Sequence, residues 1–203
     1  MNTIIKNIQE QFSNLPGEKY QNLMMPSYRG ELLKGEKKLD SAIMIILFFK
    51  DNKLHTSIIK RSVYDGKHSG QMAFPGGKYQ ESDKNLETTA IRETFEEVGV
   101  KIDDKEIIGK LTSLMIPVSN IMVTPFVCFI NYIPKYLINK TEVQQIYNVP
   151  INDFINNKKV KTDLQYNTQV KIPYFDIENE TVWGATAMIM SEFLEIYKRS
   201  VLL

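Results

Sequence analysis

Three glutamates stand close together in the run Arg92-Glu93-Thr94-Phe95-Glu96-Glu97-Val98-Gly99. On a helix turning 100° per residue, Glu93 meets Glu96 at i,i+3 and Glu97 at i,i+4, so the three carboxylates converge on one patch. Hard oxygen donors grouped this way suit Mg²⁺ or Mn²⁺, which in turn can hold phosphate oxygens. Upstream, Gly76-Gly77-Lys78 begins with two residues that lack Cβ atoms. The backbone there can bend tightly and offer the Gly76 carbonyl as a further ligand. The competing interpretation is a solvated helix face. Two like charges about 6 Å apart cost roughly 0.7 kcal/mol in water and roughly 3 kcal/mol at an effective dielectric of 20. Water makes that tolerable, so carboxylate spacing alone does not separate a metal patch from a solvated one.

The elements that must carry these residues are legible from periodicity. Leu86–Val98 reads as a helix with Ile91, Thr94, Phe95 and Val98 on its apolar arc, opposite the glutamates, and Gly99 is its natural stop. Met1–Phe12 has Ile4, Ile5, Ile8 and Phe12 at helical spacing, and Leu15-Pro16-Gly17 ends that helix. Residues 19–38 are an irregular lead-in. Ala42–Phe49 reads as a buried strand, Asp51-Asn52 as a turn and Leu54–Ile59 as its hairpin partner. The glycine-rich stretch from Gly66 to Gly77 reads as loop, with a short strand around Met72–Phe74. Ile107–Ile116 and Ile121–Tyr132 read as strands joined at Pro117-Val118-Ser119-Asn120. Glu142–Val149 and Val170–Asp176 read as two more strands, with Asn156-Asn157-Lys158-Lys159 as loop. Ala185–Lys198 closes the chain as a helix. The class that follows is α/β or α+β with a mixed sheet.

Bulk properties narrow the function. The 203 residues suffice for one well-buried core, so a single domain over 1–203 is expected, with 1–38 as N-terminal helix and lead-in. Lys and Arg total 25 against 24 Asp and Glu, which provides no whole-chain field to gather nucleic acid or an anionic membrane. The apolar run Ile43–Phe49 is too short to span a bilayer. The first helix is interrupted by Lys6, Gln9 and Glu10, unlike a signal peptide. The lone Cys128 excludes an intrachain disulfide, and a cytoplasmic protein is expected. Oligomeric state is not legible; a homodimer is compatible with all of this.

Taken jointly, residues 76–100 resemble the Nudix box, whose core is a glycine, a glutamate, then Arg-Glu, Glu-Glu and a final glycine. Gly76, Gly77, Arg92, Glu93, Glu96, Glu97 and Gly99 carry the match. At roughly one in fifteen per position, chance agreement over this chain is on the order of one in a million. Arg92 lies one residue further from Gly77 than the general box specifies, and Asp83 replaces the early glutamate. Both features resemble the coenzyme A pyrophosphatase branch. So do Arg61-Ser62, His68-Ser69-Gly70-Gln71 and Phe74-Pro75-Gly76-Gly77 upstream, and Val123-Thr124-Pro125, Glu142-Val143, Val149-Pro150 and Trp183-Gly184-Ala185-Thr186-Ala187 downstream. Leu15-Pro16-Gly17, Met25-Pro26 and Arg29 are similar to its N-terminal region. One position departs: Gly66 stands where that branch usually has an arginine.

The resemblance implies an α/β/α sandwich around a mixed sheet, with the box as loop–helix–loop. It implies one to three Mg²⁺ or Mn²⁺ ions on Glu93, Glu96, Glu97 and the Gly76 carbonyl, and a general base at Glu96 or Glu142. Arg92 either pairs with Glu96 at i,i+4 or, as in the family, orients a ligand glutamate. Arg29, Arg61 and Lys78 are the candidate cations for substrate phosphate, and each is equally a surface charge on sequence grounds. His68 either binds substrate or orders its loop, His55 is structural, and Trp183 packs the last helix rather than stacking a base. The implied substrate is the diphosphate of coenzyme A or an acyl derivative, giving 4′-phosphopantetheine and adenosine 3′,5′-bisphosphate. The alternatives are ADP-ribose or another nucleoside-diphosphate derivative, and a non-catalytic Nudix-fold binding module, against which all the box glutamates are present.

Overall fold

The central strand β1 (Leu39–Lys50) is apolar on both faces because it has helices on both sides. Ile45 and Leu47 join one core with Ile5, Ile8, Phe193 and Ile196, whereas Ala42, Met44, Ile46 and Phe48 join another with Ala90 and Val98. That double burial explains the unbroken hydrophobic run, which in a half-buried strand would alternate with polar residues. The computed structural model describes residues 3–27, 39–66, 68–165 and 168–202.

The first core packs α1 (Thr3–Gln11) and the closing α5 (Gly184–Val201) against the sheet, with the short α2 (Glu18–Gln21) lying on α5. The second packs α3 (Leu86–Val98) against the opposite face. The expected layering of helix, mixed sheet and helix is present.

In the sheet, β1 pairs antiparallel with β2 (Lys53–Arg61) and parallel with β7 (Ile121–Phe129), in register from Leu39↔Ile121 to Leu47↔Phe129. The β1–β2 hairpin turns through Asp51 and Asn52, both at positive φ, as expected of these residue types. Two short strands, β3 (Met72–Ala73) and β4 (Gly76–Lys78), pair with β2 and β1 respectively. β5 (Ile107–Lys110) and β6 (Leu114–Ile116) both pair with β7, and β8 (Val143–Pro150) pairs with β2.

Three expectations from the sequence are corrected. Gly76–Lys78 is a strand rather than loop: Gly76 lies so close to β1 that a Cβ there would sit 2.3 Å from the Ala42 carbonyl and 2.6 Å from Ile43 Cα. Ile107–Ile116 is two strands, because side chains take over the Thr112 backbone. Its N–H and hydroxyl donate to the buried Glu192, and its carbonyl accepts from Gln21. Residues 156–159 are not a loop but the end of α4 (Ile151–Asn156) and the start of β9 (Lys158–Gln165), a lysine-rich strand that among the described residues pairs only with β10 (Thr168–Ile177). Lysines on an edge strand keep other chains off it and also hide it from hydrophobic patterning. A further strand for which the sequence carried no expectation, β11 (Glu180–Trp183), joins β10 through Glu178-Asn179, a positive-φ turn without glycine.

Candidate active site

The box helix α3 begins at Asn85, whose side chain accepts from the Thr88 N–H at 2.9 Å, and ends at Gly99 in the left-handed conformation (φ 74°). The sequence places its bounds correctly but not its rotation. Thr89, Ala90, Thr94, Glu97 and Val98 are buried, and Phe95 is 48% exposed with the Lys101 ammonium over its ring. Glu97, expected on the outer arc, is only 1% exposed.

This rotation separates the three glutamates. Glu97 turns inward, and its Oε2 accepts the Gly76 N–H at 2.9 Å. Glu93 lies over Gly77, where an added Cβ would stand 2.4–2.6 Å from its carboxylate atoms. Glu96 stays outside, half exposed, bonded to Arg92. Among the described residues, no three acidic, histidine or cysteine side chains are gathered into a ready-made metal cluster.

Arg92 sorts the acids. Its Nε and one Nη2 proton form two parallel bonds to Asp83, both 2.9 Å, and the other Nη2 proton goes to the Lys78 carbonyl at 3.1 Å. Its Nη1 donates to Glu93 at 2.8 Å and Glu96 at 2.9 Å. A guanidinium has five N–H donors, and these bonds use them all. Arg92 thereby has no donor left for a further partner, and both contacts expected of it, the i,i+4 pair with Glu96 and a bond to a box glutamate, are present. Asp83, noted in the sequence only as a replacement for the early glutamate, is its buried anchor. The Arg92 hydrogen bonds hold the Asp83 carboxyl well below the usual carboxylate range, and bonds from the Gln80 N–H and Thr89 hydroxyl add to them.

Glu97 is in the opposite electrostatic condition. Burial pushes its carboxyl up to about 7, against the Gly76 hydrogen bond and the nearby Arg61, with Glu93 and Glu142 pushing the same way as burial. Glu93 is also raised, by burial first. Glu97 Oε1 is buried without a hydrogen-bond partner, and Arg61 Nη1 approaches it only to 3.6 Å. An anionic oxygen left unsatisfied beside a second carboxylate is a place that a hard divalent cation completes. The donors fit such an ion.

Around these acids, β2 and its loop contribute the rest. Arg61 ends β2, and the following Ser62 N–H donates to the Glu142 carbonyl at 2.8 Å. That bond brings Glu142, exposed at the mouth of β8, within the electrostatic reach of Glu93 and Glu97. A cleft of about 610 Å³ opens beside them, lined by Arg61, His68, Gly76, Gly77, Lys78 and Trp183 among others. His68 adopts a left-handed backbone (φ 65°), and its Nδ1 pairs with the Gln71 side chain at 3.2 Å. Trp183, expected to pack the last helix, stands at the N-terminal boundary of α5 without a side-chain capping bond and lines the cleft. His55 is structural as expected, buried and stacked on Phe48. Arg29 lies outside the described residues. At Gly66 the Tyr64 ring folds over the backbone, 2.7 Å from where a Cβ would be, so the space a longer side chain would need is filled by an aromatic.

Comparison with known proteins agrees with this geometry. The family described as the NUDIX domain matches residues 38–161. Nudix hydrolase 3 of Caenorhabditis elegans is 26% identical over 224 positions, covering 97% of this chain and 90% of that protein. The uncharacterized Nudix hydrolase NudL of Pectobacterium atrosepticum is 31% identical over 137 positions, covering 66% of this chain and 71% of the relative. Among solved structures, a MutT/nudix family protein of Enterococcus faecalis superposes with a TM-score of 0.58 at 16% identity, over 94% of this chain and 73% of that one, a likeness of fold. With the box helix, its glutamates and the sandwich all in place, the chain belongs to the Nudix family of hydrolases.

Proposed function

We propose that this hydrolase cuts the diphosphate bond of coenzyme A or an acyl derivative, releasing 4′-phosphopantetheine and adenosine 3′,5′-bisphosphate. The observation that carries the reading is the make-up of the cleft. Segments far apart in sequence that resemble the coenzyme A branch, through Arg61, His68, Gln71 and Trp183–Thr186, supply its walls next to the box residues Gly76 and Gly77.

Glu93 and Glu97, with the Gly76 carbonyl, would hold Mg²⁺ or Mn²⁺, and Glu96 would join them on release from Arg92. Bound there, the cation supplies charge neutralisation of the diphosphate and a lowered pKa for water. Arg61 and Lys78 offer positive charge to the phosphate oxygens from the cleft wall. Glu142 is the better-placed general base. It is exposed and near both Glu93 and Glu97, and it accepts from the neutral Asn139 amide at 3.0 Å, whereas Glu96 is tied to the Arg92 guanidinium. Water attacks one phosphorus as its proton passes to the Glu142 carboxylate. The bridging P–O bond breaks, and its electron pair leaves with the departing phosphate.

The test is a turnover screen of coenzyme A, acetyl-coenzyme A, ADP-ribose, dinucleoside polyphosphates and nucleoside triphosphates with Mg²⁺ or Mn²⁺, with products resolved by chromatography. Coenzyme A or its acyl derivative should show the highest kcat/KM, and excess chelator should abolish turnover. A higher kcat/KM for ADP-ribose would refute the substrate assignment, and full turnover in chelator would refute the metal requirement.

A further inference from the structure

The two arginines of the site are bound in contrasting ways. Arg92 has every donor satisfied and is fixed. Arg61 faces the same cluster with a buried Nε that has no hydrogen-bond partner, and its Nη1 meets Glu97 Oε1 at 3.6 Å, beyond a hydrogen bond. Both atoms of that weak contact's immediate neighbourhood, Arg61 Nε and Glu97 Oε1, are unsatisfied and buried. A carboxylate this buried needs a positive neighbour, and Arg61 is the cation within 4 Å of it.

The position of Arg61 is built rather than incidental. The β2–β8 ladder pairs Lys60 with Gln145 and then Arg61 with Val143, skipping Gln144. Such a bulge re-aims the side chains beside it. Lys60 is committed to Glu180 at 2.5 Å, while Arg61 lies between Glu97 and the cleft, which it also lines.

We propose that Arg61 is a displaceable counter-ion that neutralises Glu97 until a divalent cation takes its place at Oε1. The idea rests on the reading of Glu97 as a metal ligand. Two cations contend for one oxygen. The divalent ion carries twice the charge and bonds the oxygen directly, whereas the guanidinium holds it only through space. The incoming cation wins, but its affinity is set by what it must displace. Once freed, Arg61 has the cleft to turn into, where its donors face an anionic substrate. Metal loading and substrate binding are thereby linked through one side chain.

The experiment is a calorimetric or spin-resonance titration of Mn²⁺ into the parent, Arg61→Met, Arg61→Lys and Glu97→Gln at one ionic strength. Arg61→Met should bind Mn²⁺ roughly tenfold more tightly than the parent, because no charge is displaced. Arg61→Lys keeps the charge and should stay within about threefold of the parent. A role in packing alone would not distinguish Met from Lys in this way. Equal or weaker Mn²⁺ binding by Arg61→Met overturns the proposal. If that variant fails to fold without metal, Arg61→Gln removes the same charge and is read by the same criterion. Glu97→Gln separates the two levels of the argument: it should bind Mn²⁺ far more weakly than the parent. Undiminished binding there, or none in the parent, refutes the metal reading of Glu97 together with the Arg61 inference. Loss there with no change in Arg61→Met refutes the Arg61 inference alone.

Discussion

Asp83 and Arg92 face each other through two parallel hydrogen bonds of 2.9 Å, and this buried pair fixes the side chain that in turn holds Glu93 and Glu96. Removing one partner of a buried ion pair typically costs about 3–5 kcal/mol, because the other charge is left without compensation. Asp83→Asn should therefore destabilise the protein by about 3 kcal/mol in denaturant titration. Turnover should fall with it, because Arg92 is then free to swing away from Glu93. The pH dependence has a definite sign. Asp83 is depressed in the folded state, so its contribution is complete above the ordinary aspartate value near pH 4 and erodes as pH falls below it. The stability gap between parent and variant should be flat from neutral pH down to about 5 and should shrink in stronger acid.

The paired glycines separate backbone from chemistry. Gly77→Ala places a methyl group against the movable end of Glu93, so the fold should survive while turnover drops by about tenfold or more. Gly76→Ala meets the backbone of Ala42 and Ile43 at a φ of 153° and should cost about 1–3 kcal/mol or more. Thermal melts and steady-state rates measured side by side distinguish the two outcomes.

Glu97→Gln tests the buried carboxylate directly. Burial raises the Glu97 carboxyl to about 7, so without metal the parent should lose stability as pH rises from the ordinary glutamate value near 4.5 through about 7. The glutamine variant should lack that decline and be at least as stable as the parent at pH 8. Mn²⁺ should raise the melting temperature of the parent and not of the variant, because ligand that binds only the folded state adds RT ln(1 + [L]/Kd). Turnover should fall by orders of magnitude. A variant with near-parental turnover would exclude Glu97 as a ligand.

Asn85→Ala removes the helix cap of α3 at an exposed site about two helical turns before Glu93. It should cost about 1 kcal/mol in equilibrium unfolding. Below the melting transition, kcat should match the parent, which makes the variant a control for stability loss without damage to the site.

Local chemistry was legible in the sequence wherever it depends on neighbours along the chain. Helical periodicity and Gly99 bounded α3 at Leu86–Val98, Asp51-Asn52 marked the first hairpin, and the box spacing singled out Arg92, Glu93, Glu96 and Glu97. The orientation of α3 was not legible. Apolar periodicity turns Phe95 inward and Glu97 outward, and the structure does the reverse, because the face of α3 is chosen by what the sheet presents. That surface is a glycine strand whose Gly76 N–H donates to Glu97 and which leaves room above Gly77, so it receives carboxylates better than a phenyl ring. The partners of the site were equally beyond sequence reasoning. Asp83 reaches Arg92 across nine residues, and Arg61 meets Glu97 across two different elements. The cleft draws its walls from Pro26 to Ile189. Spacing along a chain determines which groups share a helix face; only packing determines which of them lose water, and the loss of water is what raises Glu97 and leaves its Oε1 without a hydrogen-bond partner.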